Sequence, residues 1–307
     1  MGVTYLGKKV TVSDMFCDKL SFTIDDIDNY DCAHIVHVIN ELVSLKLARK
    51  HWSKNYKHCV SIFEGEFPSK MLMLVQWEPH FMNAGYIRVE LNPNYADMNH
   101  VCALLMEILP GGIEDVHTKA RITRFDVSLD LVGLQPDELL AYAPGKQISR
   151  IYCKSGKIET LYLGGYDSGT IVIYDKQLEV KEKNSKYKTN IPVPKEPTTR
   201  IEIRLKPGMG IDELLHIKNP FQTLVIRTFA SMSFVHTELW RLFFAVAQSR
   251  GAQDALLMLD ENTRKKFRPQ IESVKCDWYN PDAIWSTWHQ LLSEVFWLAP
   301  TKAALMA

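Results

Sequence analysis

No run of apolar residues in this 307-residue chain approaches the roughly 18 that a membrane-spanning helix needs. One of the most apolar stretches, Leu242 to Ala247, is closed in by Glu238, Arg241 and Gln248. Residues 1–12, MGVTYLGKKVTV, carry no contiguous apolar signal core, so the expected location is the cytoplasm. There is no CxxC and no short Cys/His cluster. The six cysteines, Cys17, Cys32, Cys59, Cys102, Cys153 and Cys276, are therefore expected to be reduced, buried thiols rather than disulfides or zinc ligands. Net charge is also absent, with 36 Lys+Arg against 36 Asp+Glu, so the chain as a whole does not advertise a polyanionic partner. Neither GxGxxG nor GxxxxGK[ST] occurs, which removes the phosphate-loop route to nucleotide hydrolysis, and the hydrolase elbow GxSxG is missing.

What is present is an ordinary globular composition, 46% hydrophobic and 23% charged, long enough for about two domains. Strand-like runs at Leu20 to Ile24, Tyr56 to Phe63, Met71 to Trp77 and Tyr86 to Leu91 surround a helical pattern that Asp28 or Asn29 would cap. A helix over Asp97 to Leu109 is expected to stop at Pro110-Gly111-Gly112. A second set follows. It has a long strand from Ala120 to Val132 and a short helix at Pro136. Strands follow at Thr160 to Leu163 and Thr170 to Tyr174, then a helix over Gln177 to Lys188 and a strand at Thr199 to Leu205. This pattern predicts an α+β fold, a largely antiparallel sheet built from two related α/β halves at about 15–115 and 116–215. An all-helical region at 216–307 is expected after it, from helical spacing over Leu224 to Ala230, Phe234 to Gln248, Ala252 to Leu259 and Ala283 to Leu298.

Three segments carry candidate chemistry. In RITRFDVSLDL (Arg121 to Leu131) strand alternation puts Phe125, Val127, Leu129 and Leu131 on one face, and Arg124, Asp126, Ser128 and Asp130 on the other. Carboxylates are poor strand residues, so this face is either solvated or compensated. TRIEIRL (Thr199 to Leu205) repeats the design, with Arg200, Glu202 and Arg204 opposite Ile201, Ile203 and Leu205. Two such strands side by side would gather Asp126, Asp130 and Glu202 into an all-oxygen set suited to Mg²⁺ or Mn²⁺. In the third segment, Thr170, Val172, Tyr174 and Lys176 share a face, and Tyr174 stands at the strand end where a helix begins. From Pro144 to Lys206 there are 13 Lys/Arg and 7 Asp/Glu, a local excess of six in a neutral chain. Such a stripe suits a polyanion site, and a solvated lysine-rich helix explains much of it equally well. His34 and His37, at i and i+3, form a metal-capable pair without a third ligand nearby in sequence.

The ordered set DKLSFTID (Asp18 to Asp25), TRFDVSLDL (Thr123 to Leu131), TLYLGGYDSGTIVIYDKQLE (Thr160 to Glu179) and TRIEIRL resembles the rolling-circle replication initiation factors of small plasmids and filamentous phages, over roughly Asp18 to Phe229. The resemblance implies a site-specific endonuclease that nicks and rejoins one DNA strand at the origin through a phosphotyrosine, with a divalent metal, Mg²⁺ or Mn²⁺. Matched to the motifs, the nucleophile is Tyr174, with Tyr162, Tyr166 and Tyr187 as rivals. The metal ligands are Asp126, Asp130 and Glu202, and the DNA contacts are Arg124, Lys176, Arg200 and Arg204. The implied partners are origin DNA, single-stranded or supercoiled duplex, and a host helicase, in a bacterial cytoplasm. The chain contains no His-hydrophobic-His pair, which agrees with the carboxylate branch of that family. A conjugative relaxase with the same chemistry, or a non-catalytic origin-binding protein on the same fold, remains an open alternative.

Overall fold

A computed structural model describes residues 2–5, 8–25, 29–81, 84–146, 149–154, 156–165, 169–232, 237–274 and 276–298. In chain order the strands are β1 (Gly2–Tyr5), β2 (Lys8–Val12), β3 (Phe16–Ile24), β4 (Ala48–Lys50), β5 (Tyr56–Phe63), β6 (Met71–Pro79) and β7 (Ile87–Leu91). They continue as β8 (Arg121–Val132), β9 (Leu139–Tyr142), β10 (Ser149–Lys154), β11 (Lys157–Leu163), β12 (Thr170–Asp175), β13 (Thr198–Leu205) and β14 (Val225–Thr228). The helices are α1 (Asn29–Ser44), α2 (Met98–Ile108), α3 (Gly112–Lys119), α4 (Lys176–Tyr187) and α5 (Ile211–Leu214). Five more, α6 (Glu238–Arg250), α7 (Ala252–Met258), α8 (Glu261–Ser273), α9 (Pro281–Trp285) and α10 (Trp288–Phe296), make the C-terminal region helical. The fold is α+β, with a large antiparallel sheet.

The chain divides into two compact units that interleave in sequence. The first comprises Met1–Met15, Ser128–Arg204 and Asn219–Thr287; the second comprises Phe16–Val127, Leu205–Lys218 and Trp288–Ala307. In the first unit the strand order is β10-β11-β12-β13-β8, with β2 pairing the end of β8 (Thr11↔Val132). The pairs β10·β11, β11·β12 and β12·β13 are antiparallel. A separate two-stranded sheet, β14-β9, packs with α6, α7 and α8 around Tyr142, Trp240, Phe243 and Phe267. There the Trp240 and Phe267 rings stack 3.8 Å apart.

In the second unit β8 enters at residues 121–127, and the order continues β3-β7-β6-β5-β4. Its helix α2 starts where Asp97 accepts hydrogen bonds from the Asn99 and His100 backbone N–H groups, an N-cap of the usual kind. The core gathers around Phe125, whose ring meets Trp288 edge-on at 5.3 Å and lies 6.2 Å from Phe296.

Several expectations are corrected. Leu224 to Ala230 is not a helix: Val225–Thr228 is β14, paired with β9 (Ile226↔Ala141), and a 3₁₀ turn over Phe229–Met232 follows. Ile226 and Thr228 are buried while Val225 and Arg227 are partly exposed, a strand alternation carried by β-branched residues. The expected helix over Ala283 to Leu298 is two, α9 and α10. Between them Ser286 and Thr287 turn their hydroxyls onto the Ala283 and Ile284 carbonyls. The helix before Pro110 does stop there, with α2 ending at Ile108, and a helix not expected from the sequence, α3, begins at Gly112 with φ +59°. Asp28, Tyr166 and the Phe234 start of α6 lie outside the described residues. All six cysteines are free; Cys17 and Cys59 are buried but Cys153 is exposed.

Trp288 is 1% exposed, and its indole Nε1–H donates to the Leu214 carbonyl at 3.1 Å. Trp288→Ala should cost ~3–5 kcal/mol through the cavity it leaves beside Phe125. Trp288→Phe should cost about 1–3 kcal/mol for the orphaned carbonyl. Urea unfolding checks both, and a change under ~1 kcal/mol for the alanine variant contradicts the assignment.

Candidate functional site: a tyrosine- and arginine-bearing sheet face

Directly opposed residues of antiparallel strands point to the same side of a sheet, so the register of the first unit sorts its side chains. One row runs Tyr152↔Thr160↔Tyr174↔Arg200 across β10, β11, β12 and β13. The next runs Arg150↔Tyr162↔Val172↔Glu202. Thr170↔Arg204 continues the face. The other side of the same strands carries Ile151, Leu161, Leu163, Ile171, Ile173, Ile201 and Ile203, six of them buried and Ile151 partly so.

Tyr174 is half-buried near the end of β12. The chain then turns into α4, and the Asp175 carboxylate accepts the Leu178 backbone N–H at 2.9 Å as the N-cap. Lys176, the first residue of α4, places its ammonium 5.9 Å from the Tyr174 ring centroid and donates to Glu179 at 2.8 Å. Glu179 also pairs with Lys183. Burial pushes the Glu179 carboxyl up, but hydrogen bonds from Lys176 and Lys183 outweigh it and hold the group below its ordinary range.

Each expected metal-ligating carboxylate is held by a guanidinium. Arg200 is 5% exposed and grips Asp130 in a two-point pair, Nε at 2.7 Å and an Nη at 2.9 Å. Arg204 Nε donates to Glu202 Oε1 at 2.6 Å. In the second unit Arg124 donates to both oxygens of Asp126, with Nε at 2.8 and 3.0 Å, and Asp126 is 2% exposed. The polar face of β8 is thus compensated rather than solvated. Ser128 lies on it, fully buried, with no hydrogen-bond partner for Oγ among the described residues.

The structure therefore brings Tyr174 beside Arg200, and Arg200 beside Asp130, with Glu202 and Arg204 next along β13. Among the described residues no group of three or more His, Cys, Asp or Glu side chains is placed to hold a metal ion. The oxygen donors still suit Mg²⁺, which commonly takes only one or two carboxylates together with substrate phosphates. His34 instead donates Nε2–H to the Glu107 carbonyl at 2.9 Å, and His37 is exposed. Of the rival tyrosines, Tyr162 shares the face of Tyr174. Tyr187 is exposed at the far end of α4, about 16–17 Å along the helix from Lys176. Sequence reasoning passed over Arg150 and Tyr152. The alternation of Arg150 and Tyr152 with Ile151 and Cys153 was the available signal.

Fold and site together define an α+β protein with a charged, tyrosine-bearing sheet face. A scan against protein-family models and a search of curated proteins give no match. Among solved structures the chain is similar to the rolling circle replication initiator protein from Geobacillus stearothermophilus. The identity is 19%, covering 64% of this chain and 74% of that one, with a TM-score of 0.33.

The depressed Glu179 carboxyl has a pH consequence. A group held low when folded adds stability above its unfolded value near 4.3, and the gain is lost as pH falls through the folded value. Glu179→Gln should flatten the acid-side loss of stability, by on the order of 1 kcal/mol or less for a partly exposed pair. Urea unfolding compared at neutral and acid pH checks this, and an unchanged acid dependence contradicts it.

Proposed function

We propose that this chain is a rolling-circle type DNA replication initiator, a site-specific nicking endonuclease and strand transferase with Tyr174 as its nucleophile. The observation that carries the reading is the position of Tyr174, half-buried at a strand end, directly opposite Arg200 on a face that also bears Glu202 and Arg204. The order of the four sequence motifs supports it.

A phenol with an ordinary pKa near 10 is a poor nucleophile at neutral pH, so cations at the site matter. Tyr174 Oη attacks phosphorus as its proton passes to solvent. The P–O3′ bond breaks, its electron pair leaves with O3′, and O3′ takes a proton. The products are a 5′-phosphate ester of Tyr174 and a free 3′-OH that can prime synthesis. Because the ester keeps the phosphodiester's energy, a 3′-OH can later attack it and reseal the strand.

Arg200, Arg204 and Lys176 are assigned to the phosphates by their motifs, and Arg124 is a further DNA contact carried by its motif. Asp130 and Glu202 would hold a divalent metal, Mg²⁺ or Mn²⁺, which when bound would polarise the scissile phosphate. Asp126 is carried as a ligand by its motif alone. The substrate is origin DNA, as a single strand or a supercoiled duplex, and a host helicase is the partner that strand displacement requires.

Tyr174→Phe keeps the ring and removes only the hydroxyl. The variant should form no covalent adduct and make no nicks, while its affinity for origin DNA stays close to wild type. An adduct formed by the variant puts the nucleophile elsewhere, and a wild-type protein that binds the origin without any adduct is a non-catalytic binder. A chelator should stop nicking, and Glu202→Gln should raise the metal concentration that restores it. An unchanged metal requirement in Glu202→Gln removes that residue from the metal site.

A further inference from the structure

Thr160 is flanked by tyrosines. Its direct cross-strand partners are Tyr152 on β10 and Tyr174 on β12, and Tyr162 lies two residues along β11 on the same face. Diagonal neighbours on an antiparallel sheet are ~7–8 Å apart, so Tyr162 stands one diagonal from each of the other two. Tyr152, Tyr162 and Tyr174 thus stand around the smaller Thr160 side chain on one face of the sheet.

The rings are not packed into a core. Tyr152 is 57% exposed, and its ring meets Tyr162 edge-on at 5.8 Å and 76°. The packing work of these strands is done on the opposite side, where the Ile151 and Leu161 side chains come close to Gly251. Two guanidinium groups complete the arrangement. Arg150, directly opposite Tyr162, and Arg204 each lie 5.8 Å from the Tyr162 ring centroid. Planar aromatic and guanidinium groups at this spacing are the surfaces on which unpaired bases stack, with the arginine charge also drawing in the backbone.

We infer that Tyr152 and Tyr162, flanked by Arg150 and Arg204, form a seat for one unpaired nucleobase of a single DNA strand, beside the phosphate that Tyr174 meets. The inference rests on the proposed reading of Tyr174 as a nucleophile acting on DNA. It adds a selection rule. A base held in a duplex keeps both faces stacked on its neighbours, so only an unpaired base can enter the seat. The site would then favour an extruded or melted segment before any sequence is read.

The test measures binding of the full chain to a fluorescein-labelled oligothymidylate of about 12 nucleotides, within the usual span of a single-strand site. A base-free deoxyribose-phosphate chain of equal length is the comparison. Wild type should prefer the thymidylate. Tyr162→Leu should weaken thymidylate binding roughly 5- to 150-fold and abolish the preference, while Tyr162→Phe should retain both. Tyr152→Leu, at an exposed edge-strand position that tolerates substitution, should behave like Tyr162→Leu. Leucine variants that bind thymidylate as wild type does overturn the seat, as does a wild type indifferent to the bases. Tyr162→Phe losing covalent adduct formation makes Tyr162 the nucleophile, and also overturns it. If the base preference follows the leucine variants but Tyr174→Phe still forms adducts, the seat stands and the nucleophile assignment alone falls.

Discussion

Buried charge on a sheet face is the constraint around which the site is organised. On the first unit's sheet face Arg200 and Glu202 are 5 and 6% exposed; in the second unit, taken by itself, Asp126 is 2% exposed. Taking such groups out of water costs several kcal/mol each unless a partner of opposite sign meets them with good geometry. Every one has that partner: Arg124 on Asp126, Asp130 on Arg200 and Arg204 on Glu202. Two of these pairs join residues two apart on one strand, and the third ties β13 to β8. Breaking such a pair by removing one member typically costs ~3–5 kcal/mol, because the other charge is left buried. The arrangement therefore holds its side chains in fixed positions. Arg200 in particular cannot swing freely, since two of its nitrogens are committed to Asp130.

That fixity passes to the tyrosine. Tyr174 is placed by two independent devices, its cross-strand register against Arg200 and the strand-to-helix turn that follows it. Asp175 caps α4, and Lys176 is tied to Glu179, so the residues after Tyr174 are held by hydrogen bonds rather than left to a loop. A reactive group on a rigid element keeps its aim better than one on a loop. The same row of the sheet extends outward to Thr160 and Tyr152, so the group proposed to react and the rings proposed to hold a base are set by one register.

Much of this was legible in the sequence. The alternation in Arg121 to Leu131 identified Phe125, Val127, Leu129 and Leu131 as a buried face, and all four are 0% exposed. Pairing was not legible. Arg200 and Asp130 are 70 residues apart, and nothing local shows which strand lies beside which. The polar face of β8 admitted a solvated reading for the same reason. Leu224 to Ala230 was misread because a short apolar run satisfies helical and strand templates alike. Its strand partner β9, LLAY, is buried at every position and shows no alternation to betray it. Arg150 and Tyr152 were missed because a strand of six residues carries a weak period-two signal.

The central claim, that Tyr174 bonds covalently to DNA, is tested most directly by mapping the adduct. The protein is incubated with origin DNA and a divalent metal, digested with trypsin, and the nucleotide-bearing peptide is fragmented in a mass spectrometer. Cleavage after Lys157 and Lys176 yields one peptide holding Tyr162, Tyr166 and Tyr174, so fragment ions rather than the peptide mass decide the site. The expected result is a nucleotide phosphate on Tyr174, with Tyr162 and Tyr166 unmodified. A phosphate on any other tyrosine, or an origin that is nicked with no protein-bound nucleotide, contradicts the account.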